Sequence, residues 1–305
     1  MTTPDIRCVL AARSLNGERP CWDADRRRLF WIDVREPALH CFDPATGEDR
    51  HWEMPSWIGP YGLTDDGAFV ALRTGLHRLR FADGALDFVA PPPFDPRRFI
   101  FNEGDCDRQG RFWAGPMFVP LKPEGADGKG PEALPFWRWD GGATRDSWRP
   151  GTIPVKTANS LAWSADGTRM FHSDTDRKQL WVARYDPDRG TASDPALFAD
   201  LSDEEGGPDG VAVDADGFLW IALYGGGKLL RLDPDGRTER TIPMPVQYPT
   251  MPAFGGDDLR TLFVTSACWS IPEAERDGRP LEGNLFALDA PVAGIPSVRM
   301  RVPSG

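Results

Sequence analysis

One short phrase recurs six times along the chain and constrains its fold more than any other feature. It is an Asp-rich turn with Gly, followed by a strand carrying an aromatic residue. The copies are residues 22–34 (WDADRRRLFWIDV), 63–72 (LTDDGAFVAL), 105–115 (DCDRQGRFWAG), 163–174 (WSADGTRMFHSD), 213–223 (VDADGFLWIAL) and 255–266 (GGDDLRTLFVTS). Measured on Trp31, Phe69, Trp113, Phe171, Trp220 and Phe263, the period runs from about 38 to about 58 residues. A repeat of roughly 40–50 residues built from short strands marks a β-propeller blade. The expected fold is therefore all-β, a six-bladed β-propeller with function at its central channel.

Each phrase has a local physical reason. Asp-x-x-Gly makes a hairpin turn, because Gly tolerates positive φ and Asp bonds nearby backbone amides. The apolar run Phe218–Ala222 fits a strand covered on both faces. The 32 glycines and 30 prolines are scattered, as a turn-rich chain requires. A propeller routinely uses 305 residues as one domain, so residues 1–305 are expected to form a single domain. Residues 5–13 read as a strand that pairs near 284–302 and removes a free edge, closing the ring. Two irregular stretches, 116–135 and 268–283, are either lids over a channel mouth or plain solvent loops.

Composition excludes several classes. A formal net charge of −11 argues against nucleic acid and is favourable for a bound cation. No apolar run is long enough to span a bilayer and the N-terminus lacks a signal-like core, so the expectation is a cytoplasmic protein with no membrane partner. Five dispersed cysteines without CxxC spacing suit reduced, mostly buried thiols. Of the 12 tryptophans most are expected in blade packing, with Trp57 or Trp269 as candidates to stack on a sugar ring. There is no GxSxG elbow, no HExxH and no Walker loop. His40, His51, His77 and His172 show no ligand spacing and read as structural or surface residues. Gly225–Gly227 reads as a hairpin turn rather than a phosphate loop.

What remains is a set of oxygen-bearing residues at similar offsets before a phrase: Glu18, Asn102, Asn159 and Asp209. Equivalent corners of different blades point to one end of the channel, where carboxylates and amides together make an oxygen-ligand cation site. Taken singly, each also reads as a turn residue bonding its own backbone.

The segments GERPCWD, NEGDCDRQGRFWAGPM, ANSLAWSADG, GPDGVAVDADGFLWIALYGGGKLLRLDPDG and LFVTSA resemble the SMP-30/gluconolactonase/regucalcin family, over nearly the whole chain. The resemblance implies a six-bladed propeller holding one divalent cation. By motif position Glu18, Asn159 and Asp209 match the family's metal ligands. Asn102 matches a residue that contacts substrate or metal-bound water, and Asp209 is also the candidate general base. Arg19 and Glu103 are expected beside Asn102 as substrate contacts. Hard oxygen ligands suit Ca²⁺, Mg²⁺ or Mn²⁺, and Zn²⁺ and Fe²⁺ accept such sites too.

Three departures from the family pattern stand out. Arg19 replaces the second Gly of Gly-Glu-Gly-Pro, a charge unexpected beside a ligand unless it points outward or binds substrate. Ile100 stands where some members carry Arg, so that contact is lost or moves to Arg97 or Arg98. The run Glu103–Asp107 resembles a bacterial subgroup acting on pentono- and hexonolactones. A lid Glu found in some members falls on Glu124 or Glu132. The implied activity is metal-dependent hydrolysis of a sugar-acid lactone by a monomer or weak homo-oligomer. The alternatives are another metal-dependent ester or phosphotriester hydrolase on the same site, or a non-enzymatic calcium-binding scaffold.

Overall fold

A computed structural model describes residues 4–121 and 133–302. Both candidates for a lid Glu, Glu124 and Glu132, lie outside the described residues, as does much of the 116–135 stretch. The described chain forms six four-stranded antiparallel sheets, a six-bladed β-propeller. Blades 1 to 5 take their strands in chain order, opening with Gly17–Asp23, Ile58–Leu63, Phe99–Cys106, Ala158–Trp163 and Gly207–Val213. Blade 6 opens with Pro249–Gly255 and takes its outermost strand from the N-terminus, where Arg7 pairs with Ala287 and Cys8 with Phe286. No described helix is long and apolar enough to cross a membrane. All five thiols are free, with Cys21, Cys106 and Cys268 buried.

The chain divides into two compact units, Met1–Pro55 with Phe198–Ser297, and Ser56–Leu197 with Val298–Gly305. The first holds blades 1, 5 and 6, whose opening strands lie against one another. The second holds blades 2, 3 and 4, packed in the same way. The phrase aromatics Trp31, Phe69, Trp113, Phe171, Trp220 and Phe263 are all buried, so they are blade packing. In the first unit Trp22 stacks on Phe263 with ring centroids 5.9 Å apart, and Trp220 meets Phe254 edge-on at 6.0 Å.

The turn reading holds at the level of atoms. Asp107 accepts from the amides of Gln109 and Arg111, both at 2.9 Å. Asp214 does the same for Asp216 at 3.1 Å and Phe218 at 2.9 Å, while Gly217 takes the positive φ of 83° that closes the turn. Gly225 and Gly227 are turn residues with φ of 79° and 62°, between two paired strands. The second oxygen of Asp214 then reaches into the blade. It accepts from Trp220 Nε1 at 3.0 Å and from Arg231 Nη2 at 2.7 Å. The Arg231 guanidinium stacks 3.8 Å over Phe218. A turn carboxylate thus anchors a buried cation and an indole together.

The histidines behave as scaffold. His40 Nδ1 bonds Asp49 at 2.7 Å, and His77 Nδ1 bonds the carbonyl oxygen of Gly75 at 3.1 Å. His172 is fully buried beside Phe136, and among the described residues neither ring nitrogen meets a hydrogen-bond partner. Burial pulls its pKa down to about 4.

Two outcomes follow for stability. The unfolded chain protonates His172 near the ordinary histidine value of about 6.5, whereas the folded chain resists until about pH 4. The stability this neutral ring preserves is therefore present above about pH 6.5 and lost as the pH falls toward 4. Urea unfolding at pH 7 and pH 5 should show His172→Leu gaining on the parent at the lower pH, by on the order of 1 kcal/mol. An equal difference at both pH values would refute this. Asp214→Ala removes the buried partner of Arg231, leaving it only Glu239 at 3.1 Å, and should cost about 1–3 kcal/mol of unfolding free energy. A loss below about 1 kcal/mol would mean that the pair does not anchor the blade.

Candidate active site

Each opening strand slips against its neighbour at the same place. In blade 1 the register passes from Glu18↔Ile32 to Cys21↔Phe30, so one extra residue is inserted on the opening strand. The same one-residue bulge follows Ile58, Phe101, Asn159, Pro208 and Pro249. A bulge bends the strand and re-aims the side chains around it. All four candidates sit at this bulge, but in two different positions. Glu18 and Asn159 are the last paired residues before it, whereas Asn102 and Asp209 are the first residues inside it.

The residue after each of the paired candidates is left-handed, Arg19 with φ of 50° and Ser160 with φ of 55°. The pattern Gly-Glu-Gly-Pro expected from the resemblance has Gly at the position of Arg19, and a left-handed φ suits Gly. An Arg held there costs of order 1 kcal/mol in backbone strain. Its side chain does not escape into solvent, since Arg19 is 7% exposed. Of the two readings given for this charge, the outward one is therefore excluded.

Within the first unit, Glu18 and Asp209 share a neighbourhood marked by Tyr224. The Tyr224 hydroxyl and Ser270 Oγ are 2.6 Å apart, and its ring lies 5.1 Å from that of Tyr248. Burial pushes the Tyr224 phenol up to about 12, the Ser270 hydrogen bond opposes this, and the fields of Asp209 and Glu18 add to the rise. The hydroxyl therefore keeps its proton at any ordinary working pH. Asp209 itself is 6% exposed. Gly210 beside it allows blade 6 to approach, because a Cβ there would fall 2.2 Å from Met251 Cγ. Thr250, at the bulge of blade 6, donates to the Gly17 carbonyl at 2.5 Å and so ties that blade to the strand bearing Glu18.

Within the second unit, Asn102 and Asn159 are in direct contact. Asn102 Nδ2 donates to Asn159 Oδ1 at 3.1 Å and to the Ala158 carbonyl at 3.0 Å. Asn159 Nδ2 donates to Thr175 Oγ1 at 2.7 Å, which fixes its amide with the oxygen toward Asn102. Glu103 is buried, and its Oε1 accepts from the following amide of Gly104 at 2.7 Å. Ile100 is fully buried and pairs with Met117, so no polar contact arises from that position. Arg97 forks onto Asp95, holding that carboxyl down to about 2, and Arg98 lies 5.6 Å over Phe99 and 5.5 Å over Phe118.

Several working residues escaped the sequence reading. The position facing the start of the opening strand carries Asp33 in blade 1, Asp174 in blade 4 and Tyr224 in blade 5. Asp33 accepts from the amides of Leu15, Asn16, Arg35 and Glu36 and from Ser14 Oγ, at 2.9–3.2 Å. It thereby shapes both loops that flank Glu18. Asp174 accepts from the Lys156 amide at 3.1 Å behind Asn159. The usable signal was the common distance of Asp33, Asp174 and Tyr224 downstream of Glu18, Asn159 and Asp209. The 268–283 stretch contains the short helix Glu273–Arg276, and its start is seated on the Leu15 carbonyl through the Trp269 amide at 2.9 Å.

Carboxylate and amide oxygens are the donor types that suit a hard divalent cation. Among the described residues no group of three or more His, Cys, Asp or Glu side chains makes a metal cluster. The expected ligand set has only two residues of those types, its third ligand being Asn159.

Comparison with known proteins agrees with the fold and the motifs. The family model described as "SMP-30/Gluconolactonase/LRE-like region" matches residues 16–268. A 6-deoxy-6-sulfogluconolactonase of Pseudomonas putida is 37% identical over 292 residues, covering 95% of this chain and 96% of that one. An L-arabinolactonase of Azospirillum brasilense is 33% identical over 293 residues, covering 94% and 92%. The solved structure of regucalcin, a calcium-binding protein from Agrobacterium tumefaciens, shares the fold with a TM-score of 0.86 at 24% identity, covering 100% of both chains. The chain belongs to the SMP-30/gluconolactonase/LRE-like family.

Proposed function

We propose that the protein hydrolyses a sugar lactone to the open-chain aldonic acid, with Glu18, Asn159 and Asp209 holding one divalent cation. The observation that carries this reading is similarity to sugar lactonases along nearly the full length of the chain. The convergence of the Glu18 and Asp209 fields on the Tyr224 hydroxyl supports it. So does the Asn102–Asn159 contact.

The reaction is ester hydrolysis in a ring. Water oxygen bonds to the carbonyl carbon and the acyl bond to the ring oxygen breaks. The ring oxygen takes a proton to become an alcohol, and the new carboxylic acid releases one to solvent. A divalent cation, when bound, supplies Lewis acidity toward the lactone carbonyl. Asp209 accepts the proton of the attacking water. Asn102 presents Nδ2 hydrogens that can turn from the Ala158 carbonyl to a substrate oxygen. Arg19 and Glu103, flanking these positions, complete the proposed substrate contacts. Tyr224 stays protonated, with its hydroxyl tied to Ser270 beside Asp209. No nucleophilic side chain is needed, consistent with a sequence lacking the Ser elbow.

Asp209→Ala and Glu18→Gln should each lower lactonase kcat/KM by at least about 100-fold, measured as acid release from a panel of pentono- and hexonolactones. Both variants retaining activity would sink the site. Chelation should abolish turnover and lower Tm. Re-addition of the correct metal at about 100 times its Kd should restore roughly 2.7 kcal/mol of stability. Turnover of phosphotriesters in preference to lactones would replace the substrate assignment. A Tm unmoved by chelator and by every added metal would remove the cation.

A further inference from the structure

We propose that His40 and His51 form a two-imidazole site for a transition-metal dication such as Zn²⁺, on the outer half of blade 1 and separate from the proposed lactonase centre. His40 lies on the strand Ala38–Phe42 and His51 on the outermost strand Asp49–Glu53, where the two are directly opposite in register. Directly opposed residues of an antiparallel pair share a face, so both side chains leave the same side of the blade. Their ring centroids are 5.3 Å apart. Two imidazoles bound to one tetrahedral zinc ion have centroids roughly 5 Å apart, a separation this pair already has. Both residues line a cleft of about 460 Å³, which Ala12 and Ser14 of the N-terminal segment also line.

His40 is prepared as a ligand from behind. Its ring stacks on Trp31 with centroids 3.9 Å apart and planes 19° apart, and its Nδ1 bonds Asp49 Oδ2 at 2.7 Å. Asp49 is itself held by Trp31 Nε1, which donates to Oδ1 at 3.2 Å. A carboxylate oxygen only accepts, so Nδ1 donates and the neutral ring keeps its lone pair on Nε2. A carboxylate placed behind a histidine in this way fixes the tautomer and makes the other nitrogen a better metal ligand. His51 is exposed and, among the described residues, has a ring contact with His40 and no hydrogen bond. Glu36 and Glu53 line the same cleft, and no described Lys or Arg does. Arg50 falls on the opposite face by strand alternation, beside Trp52. A cleft of one sign concentrates cations. Imidazole then selects Zn²⁺, Cu²⁺ or Ni²⁺ over the hard Ca²⁺ and Mg²⁺. No third His, Cys, Asp or Glu completes a cluster among the described residues, so the ion has two protein ligands and water in its remaining positions.

The test uses the untagged full chain, stripped of metal and carrying Asp209→Ala to remove the proposed oxygen-ligand site, with the calcium-saturated parent as a second background. Calorimetry with Zn²⁺ should find one ion per chain, retained in a large excess of Ca²⁺ and Mg²⁺. His51→Gln, on an exposed position of the outermost strand, should weaken that binding by at least about tenfold. Asp49→Asn leaves both imidazoles in place and should still cost about tenfold in affinity. Cu²⁺ loaded on the same chain should show electron-spin coupling to the nitrogens of two imidazoles, and to those of one in His51→Gln. Absence of bound zinc, displacement of zinc by calcium, or unchanged affinity in His51→Gln would each overturn the proposal. Neither Glu18 nor Asp209 enters this site, so the result is independent of whether the protein cleaves lactones.

Discussion

One extra residue in each opening strand is the constraint from which the rest of the candidate site descends. A regular strand alternates its side chains strictly, so neighbouring residues point to opposite faces. The bulge after Glu18, Asn159 and Pro208, and across Asn102, breaks that alternation at one level of every blade. It leaves the two residues inside it without ladder partners and gives their side chains new directions. Oxygen donors at that level are released from sheet packing. Where the bulge demands a left-handed residue, Arg19 and Ser160 accept the conformation despite their side chains.

The bulges alone would be loose. They are braced from behind by residues facing the start of the same strands. Asp33 gathers four backbone amides and a hydroxyl around the loops that flank Glu18. Asp174 holds the turn before Asn159, and Tyr224 stands behind Asp209 with its hydroxyl tied to Ser270. This division of labour has a physical basis. Residues meant to meet a ligand must leave lone pairs available, whereas Asp33 spends both carboxylate oxygens on the loops it holds.

The residues that differ from the family pattern acquire reasons in this frame. Arg19 occupies a position whose φ suits Gly, and it does so buried, so its charge belongs to the interior of its unit. Ile100 is enclosed in blade 3, and neither Arg97 nor Arg98 substitutes for a lost contact simply by proximity. Arg97 is engaged with Asp95, and Arg98 lies over aromatic rings.

Much of the fold was legible in the chain because its causes are local. Asp-rich turns and buried aromatics repeat with the period of a blade, and at Asp107 and Asp214 the turn is made by the carboxylate-to-amide bonds that the phrase predicts. The four candidate residues were legible as well, through their common offset before each phrase. The sequence could not say that Glu18 and Asn159 precede the bulge while Asn102 and Asp209 lie within it, because register depends on pairing with another strand. Nor could it say that Asp33 and Tyr224 gather near Glu18. Those residues stand on different blades, and only packing of the chain brings Ser270 against Tyr224. Sequence determined the repeat and the donors, since both are written in consecutive residues. Tertiary structure decided which side chains share a neighbourhood, since desolvation and electric fields act across space and ignore order along the chain.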